Sequence, residues 1–312
     1  MEEKQEAKAK NLSEFGYHYV NQDGKTRLVN KADNKPFVFQ GPDHYTELSK
    51  FVREEVMHRL RNAGLVEASA ETAARCISAR SLASKPDLPR IFHSPQAFTT
   101  PGVLMVILQG SGAVRTGLWA QRLAISESLE SGTVLPFLER AKQRGWEVLC
   151  LDPNYADPKK DGMPQSVSAV EHVLCSFDHL LASCPARQIV FVCHSAGGQG
   201  ILELLRHRTS LVLPRTVAVA LTDAVHTSLH APFTVPDPVL KFLASHSRDW
   251  VASNLPLDSP VKPSEDNLAQ GMRSCFDSGD PISLVSAGSP DHIWTSYCAM
   301  ESIFAFLDSE LK

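Results

Sequence analysis

Five uninterrupted apolar runs separated by helical patterns predict an α/β fold with a mainly parallel sheet wound on both faces by helices. A strand buried on both faces shows no polar alternation, and these runs show none. The second observation is where the polar and glycine residues fall. They gather at the C-terminal ends of the runs, where open α/β sheets place their sites. The third is size: 312 residues, 43% hydrophobic and 21% charged, suffice for one large domain with appendages.

The elements follow in chain order. Residues 1–13 are charged and form an expected disordered tail. Tyr17-His18-Tyr19-Val20, the turn residues Asn21-Gln22-Asp23-Gly24 and Arg27-Leu28-Val29 make a hairpin signal, and Lys35-Pro36-Phe37-Val38-Phe39 offers a third strand. These strands are expected to add to an edge of the main sheet. Leu48, Phe51, Val52, Val56, Leu60 and Leu65 then recur at helical spacing. Ser81–Pro101 is rich in Ser, Pro and Ala and reads as a connector. Residues 14–100 are therefore expected to form a hairpin and helical extension, and 101–312 the α/β domain.

In that domain Gly102–Leu108 is the first buried strand and Gly145–Asp152 the second. Val167–Cys184 is an amphipathic helix with Val170, Val173, Leu174, Phe177, Leu180 and Leu181 on one side. Arg187–Cys193, Thr216–Leu221 and Pro281–Gly288 complete the strands. Residues 230–280 are rich in Pro and Ser, with apolar Val239, Leu240, Phe242, Leu243 and Trp250, and are expected to form a cap or a partner surface. There is no internal repeat and no low-complexity block.

The chemistry concentrates at four strand ends. His194-Ser195-Ala196-Gly197-Gly198 closes an apolar strand and opens a helical pattern, the context of a nucleophile elbow. Small neighbours are needed because the serine sits in a strained turn that pushes its hydroxyl outward. Gly197 meets the G-x-S-x-G template, and Cys193 stands where the first glycine would be. Gln109-Gly110-Ser111-Gly112 ends another strand, Asp223 a third, and His292 follows the last. The order serine, acid, histidine is that of an α/β-hydrolase, so the predicted fold is α/β-hydrolase-like. In that scheme Ser195 attacks, His292 takes its proton, and Asp223 fixes the imidazole tautomer. Backbone N–H groups of Gly110, Ser111, Gly112 and Ala196 are the candidate oxyanion hole. Asp291 and Asp258 are rival acids, and His226 and His230 rival bases. His194 is expected to pack or hydrogen-bond structurally, and Cys193 to be a buried thiol.

Composition sets outer bounds. A net charge of −4 provides no global field toward nucleic acid or membrane. Lys159-Lys160 and Arg206-His207-Arg208 read as solvated faces. The seven cysteines contain no C-x-x-C pair and suit a reducing compartment. No signal peptide and no apolar run of membrane-spanning length is visible, no metal motif occurs, and no cofactor is expected. The expected location is the nucleus or the cytoplasm.

The segment Leu108–Leu123 resembles the signature of the argonaute-binding-protein-two (Arb-two) domain family, and within it the branch called cotranscriptional regulator or "family with sequence similarity 172". Leu129–Thr133, the elbow, Ala220–His226, Trp250-Val251 with Pro256–Asp258, and Val285–Gly288 with His292 also fit, as do Phe15–Tyr17 and Pro36–Phe39. The resemblance covers about residues 12–308. It implies an α/β-hydrolase-like fold and a regulatory role with an argonaute-type partner in small-RNA-directed silencing, heterochromatin and splicing. The family serine and histidine fall on Ser195 and His292. Two departures stand out. Gln109 replaces the histidine usual before the glycine loop, and the lysine-rich insertion of closer relatives shrinks to Tyr155–Gln165. The residues thus support two functions: a regulatory adaptor, or an intracellular serine hydrolase acting on an ester, thioester or amide.

Overall fold

A computed structural model describes residues 10–83, 87–156, 164–229, 234–262 and 281–312. His230, Lys159, Lys160, Cys275 and residues 1–9 lie outside the described residues.

The centre is an eight-stranded sheet in the order β10-β9-β8-β7-β5-β6-β4-β3. The strands are β3 (Val66–Glu67), β4 (Phe92–His93), β5 (Val103–Leu108), β6 (Glu147–Cys150), β7 (Gln188–His194), β8 (Thr216–Thr222), β9 (Ser247–Val251) and β10 (Ser283–Ser286). Neighbours from β6 through β10 are parallel, whereas β3 and β4 run antiparallel at one edge. This is the mainly parallel sheet that the apolar runs predict.

Both faces of each central strand are buried, which explains the missing alternation. Leu104, Val106 and Leu108 of β5 and Ile189, Phe191 and Cys193 of β7 enter one core. Helices Gln165–Ser176, Gly197–His207 and Asp237–His246 cover that face through Val173, Leu204 and Leu243. Met105, Ile107, Val190 and Val192 enter a second core, covered by Leu138 of helix Leu135–Gln143 and by Ile303, Phe304 and Leu307 of helix Met300–Glu310. Val167–Cys184 is helical as expected up to Ser176 and continues as a π-helical turn, Phe177–Leu181.

Three expectations change. First, the N-terminal hairpin forms its own two-stranded sheet, β1 (Tyr17–Gln22) with β2 (Lys25–Asn30), and does not extend the main sheet. Tyr17 and Leu28 instead pack with Leu48, Val52 and Val56 of helix Pro42–Asn62 and with Ile125 and Leu129. The third strand reduces to one bridge, Val29 to Pro36, because proline has no N–H for a ladder. Second, the antiparallel edge comes from β3 and β4, the latter inside the stretch read as a connector. Third, Ser247–Val251 is a strand between β8 and β10, so this part of the expected cap belongs to the sheet. Arg248 and Asp249 interrupt its apolar run and hide it from periodicity. Trp250 is fully buried there. Residues 230–233 and 263–280 of the same segment lie outside the described residues.

Candidate active site

From β5 the chain moves to β6 on one side and then to β7 on the other. The ends of β5 and β7 therefore form the switch point of the sheet, where loops diverge and leave a crevice. The loop Gln109–Gly112 leaves one strand there, and Ser195 directly follows the other.

Ser195 adopts φ 53°, a left-handed conformation that costs a non-glycine residue free energy. Three backbone bonds hold it: its N–H donates to Thr222 O at 3.0 Å, and its carbonyl accepts from Gly198 N and Val225 N, each at 3.0 Å. The surrounding glycines answer to close backbone packing. A Cβ on Gly197 would lie 2.6 Å from Leu108 O, and one on Gly110 would lie 2.8 Å from Ser195 Cβ. Cys193 occupies the first template position inside β7, fully buried in the core, so its side chain displaces nothing at the turn. Burial pushes its thiol well above the ordinary range.

Asp223, at the end of β8, also has a left-handed φ of 47° and is fully buried. Its Oδ1 accepts the Ala252 N–H at 3.1 Å, and its Oδ2 lies 2.6 Å from His292 Nδ1. Beside a buried carboxylate the imidazole donates from Nδ1, which leaves Nε2 free to accept a proton. His292 is about one-third exposed and lines a cleft of about 160 Å³ with Ser195, Gly110, Trp119 and His194. No hydrogen bond joins Ser195 Oγ to His292 among the described residues; contacts of this kind commonly tighten only on substrate binding. The structure thus joins Asp223 to His292 directly and brings Ser195 into the same cleft.

The rivals are engaged elsewhere. Asp291 pairs with Arg122 at 3.0 Å and caps the turn at Ile293 N. Asp258 accepts from Trp250 Nε1 at 2.8 Å and from Ser302 Oγ at 2.5 Å. His226 is fully buried 3.0 Å from Asp249, itself fully buried. Burial raises the Asp249 carboxyl, and its Oδ2 accepts the Ala224 N–H at 3.0 Å. That buried pair supports the turn carrying Asp223.

The His194 ring packs tilted against that of His292, ring centroids 4.6 Å apart, and its Nδ1–H donates to Thr222 O at 3.0 Å. Burial, then the neighbouring His292, pushes its pKa down to about 3, so it stays neutral beside the candidate base. The N–H groups of Ser111 and Ala196 donate to no other protein group among the described residues. Their loop is anchored by Asn154, whose Nδ2 donates to Gly110 O at 2.6 Å and Val114 O at 3.0 Å. Sequence reasoning missed Asn154 and Asp249. Asn154 carried one signal, its position just after a strand end; Asp249 sat in the strand that periodicity hid.

Among the described residues no group of three or more His, Cys, Asp or Glu is placed to hold a metal ion, and no helix is long and apolar enough to cross a membrane.

Comparison with known proteins bears on the whole chain. It is similar to the mouse (Mus musculus) cotranscriptional regulator ARB2A, 29% identical over 353 residues that cover 93% of this chain and 79% of the relative. It is similar to a FAM172 family protein homolog of Caenorhabditis elegans, 30% identical over 310 residues, 96% of this chain and 87% of the relative. Among solved structures it superposes on a histone deacetylase from Saccharomyces cerevisiae with a TM-score of 0.55 at 14% identity, covering 86% of this chain and 100% of that one. The histone deacetylase Clr3 gives 0.54 at 12% identity, over 90% of this chain and 41% of that one. At such identities the likeness concerns the fold alone. The Arb2 domain model matches residues 8–157 and 153–257, which span the glycine loop, the elbow and the Asp223 turn, and so the chain belongs to the Arb2 domain family.

Proposed function

We propose that this protein is a regulatory factor of the cotranscriptional type, working with an argonaute-type partner in the nucleus. The observation that carries the proposal is the similarity to cotranscriptional regulators along 93% of the chain, which reaches the extension as well as the sheet. The extension packs on the domain through a shared apolar core, so the similarity covers one packed body. Pull-down of an argonaute protein from nuclear extract by the tagged chain tests this. Recovery is expected, and equal recovery by Ser195→Ala. Loss of argonaute from the wild-type pull-down under conditions that retain the folded protein would sink it.

A second function has its own observation, the 2.6 Å contact between His292 Nδ1 and the buried Asp223 carboxylate beside a strained serine. In that function the protein is a serine hydrolase. Ser195 Oγ attacks a carbonyl carbon and passes its proton to His292 Nε2. Asp223 stabilises the imidazolium, and the Ser111 and Ala196 N–H groups receive the oxyanion. Labelling by a fluorophosphonate, abolished by Ser195→Ala, is the expected result. An unlabelled wild-type protein would remove the hydrolase function and leave the regulatory one standing.

A further inference from the structure

Two cavities meet at Gly110 and Ser111. One is the cleft holding Ser195 and His292. The other, of about 150 Å³, lies between the glycine loop and helices Gln165–Ser176 and Gly197–His207. Leu108, Pro153, Ala169, Val170, Val173 and Gly200 supply its apolar wall, and among the described residues no charged side chain lines it. Ala196, whose N–H donates to no protein group among the described residues, lines this cavity directly after the serine.

We propose that the second cavity is an acyl pocket and that the substrate is an ester of an uncharged acid of about four to six carbons. The proposal rests on the hydrolase function of Ser195 and deepens it. A carbonyl oxygen held by the Ser111 and Ala196 N–H groups lies at the junction of the two cavities. The acyl chain then enters the apolar side, and the alcohol remains in the cleft with His292 and Arg122. An apolar cavity of about 150 Å³ accommodates a group the size of benzene, which sets the chain length. The described lining offers no charge to pair with a second ionised group, which favours uncharged acyl groups, since an unpaired buried charge is costly.

The chemistry balances without any co-reactant but water. The Ser195 Oγ–acyl carbon bond forms as the Oγ proton moves to His292. The ester C–O bond breaks, and the alcohol leaves with that proton. Water then attacks the acyl-enzyme, gives a proton to His292 and releases the acid, and the proton returns to Ser195 Oγ.

Gly200 sets the depth. A Cβ there would lie 3.1 Å from Val173 Cγ2, so a larger side chain fills the pocket floor. Ala169, half-buried on the facing helix, offers a second way to fill it. The experiment measures kcat/KM on p-nitrophenyl esters from acetyl to decanoyl for the wild type, Ser195→Ala, Gly200→Val and Ala169→Phe. Wild-type kcat/KM is expected to rise about fourfold per methylene, as burial of each apolar group implies, and to fall beyond hexanoyl. Ser195→Ala should lose all turnover. Gly200→Val and Ala169→Phe should each move the optimum to acetyl, and two variants on different helices guard against one failing to fold. Ser195-dependent turnover with a flat chain-length profile, or one that both filling variants leave in place, overturns the acyl pocket alone. Absence of Ser195-dependent turnover on every ester overturns the hydrolase function and the acyl pocket with it.

Discussion

Ser195 carries its strain in the backbone, at φ 53°, and the fold holds it there with three hydrogen bonds. A left-handed non-glycine residue costs on the order of 1 kcal/mol or more, and glycine removes that cost. Ser195→Gly and Ser195→Ala both delete the hydroxyl, so they differ mainly in this conformational penalty. The glycine variant is expected to be about 1 kcal/mol more stable than the alanine variant in urea unfolding. Equal stability of the pair would show that the turn is relaxed and would weaken the case for a stored nucleophile geometry. Asp223 shares the left-handed conformation, and its partner Ala252 follows β9, so the acid is positioned by a strand that is remote in sequence.

At the scale of elements, the extension meets the domain along helices Gln121–Ser126 and Leu129–Gly132. Gly132 is the tightest point: a Cβ there would lie 2.2 Å from Ala124 N and 2.8 Å from Ala120 O, both backbone atoms that cannot move independently. Gly132→Ala is expected to destabilise by about 3 kcal/mol, near the upper end for overpacking, by separating the two helices. Gly102→Ala is the control, because its Cβ would meet only the Thr100 side chain at an ordinary 3.4 Å. A Gly132→Ala protein as stable as the control would mean that this contact opens freely. Asp152 provides another joint. It is fully buried, accepts the Arg90 N–H at 3.0 Å and pairs with Arg115 at 2.9 Å, tying the end of the glycine loop to the strand beside it.

For the whole molecule, two buried histidines set a pH dependence. Burial lowers His172 to about 4 and His194 to about 3, from 6.5 in the unfolded chain. His172 is held neutral between a Nδ1–H donated to Cys76 O at 2.7 Å and a Nε2 that accepts the Asp152 N–H at 3.2 Å. Above pH 6.5 neither state binds these protons and there is no cost. As pH falls below 6.5 the unfolded chain takes up protons that the native state refuses, so stability falls until the native pKa values are reached. Each histidine contributes about 1.4 kcal/mol per pH unit in that window. The raised Asp249 carboxyl acts in the opposite sense, since the native state takes up its proton first on acidification. A substitution therefore isolates the effect better than the wild-type profile. His172→Gln should flatten the fall in stability between pH 6 and 5 by about 1 kcal/mol. An unchanged slope would show that His172 is protonated in the native state.

The sheet was legible in the sequence wherever a strand was buried on both faces, because continuous apolar runs such as Val103–Leu108 and Gln188–His194 have no other stable use between helices. Serine, acid and histidine at strand ends could be read for the same reason: strand ends are where an open parallel sheet leaves room for chemistry. The family could be read from motifs whose order survives along the chain. Strand β9 could not, since Asp249 and Arg248 interrupt its pattern and find their surroundings only once β8 and β10 lie on either side. The hairpin was legible as a hairpin, but its placement was not. Local turn chemistry fixes a hairpin, whereas its docking depends on an apolar surface assembled from helix Pro42–Asn62 together with the sequence-remote Ile125 and Leu129. The sequence preferred Asp223 and kept Asp291 as a rival; the contact of Asp223 with His292 belongs to the tertiary structure. Both are acids near His292 in plausible order, and only burial beneath the Ala252 N–H against exposure beside Arg122 separates them. The sequence by itself determined which residues could do chemistry and which runs had to be buried, because side-chain chemistry and periodicity are local. The partners of those residues were decided by the tertiary structure, because hydrogen bonds and cavities join positions far apart in the chain.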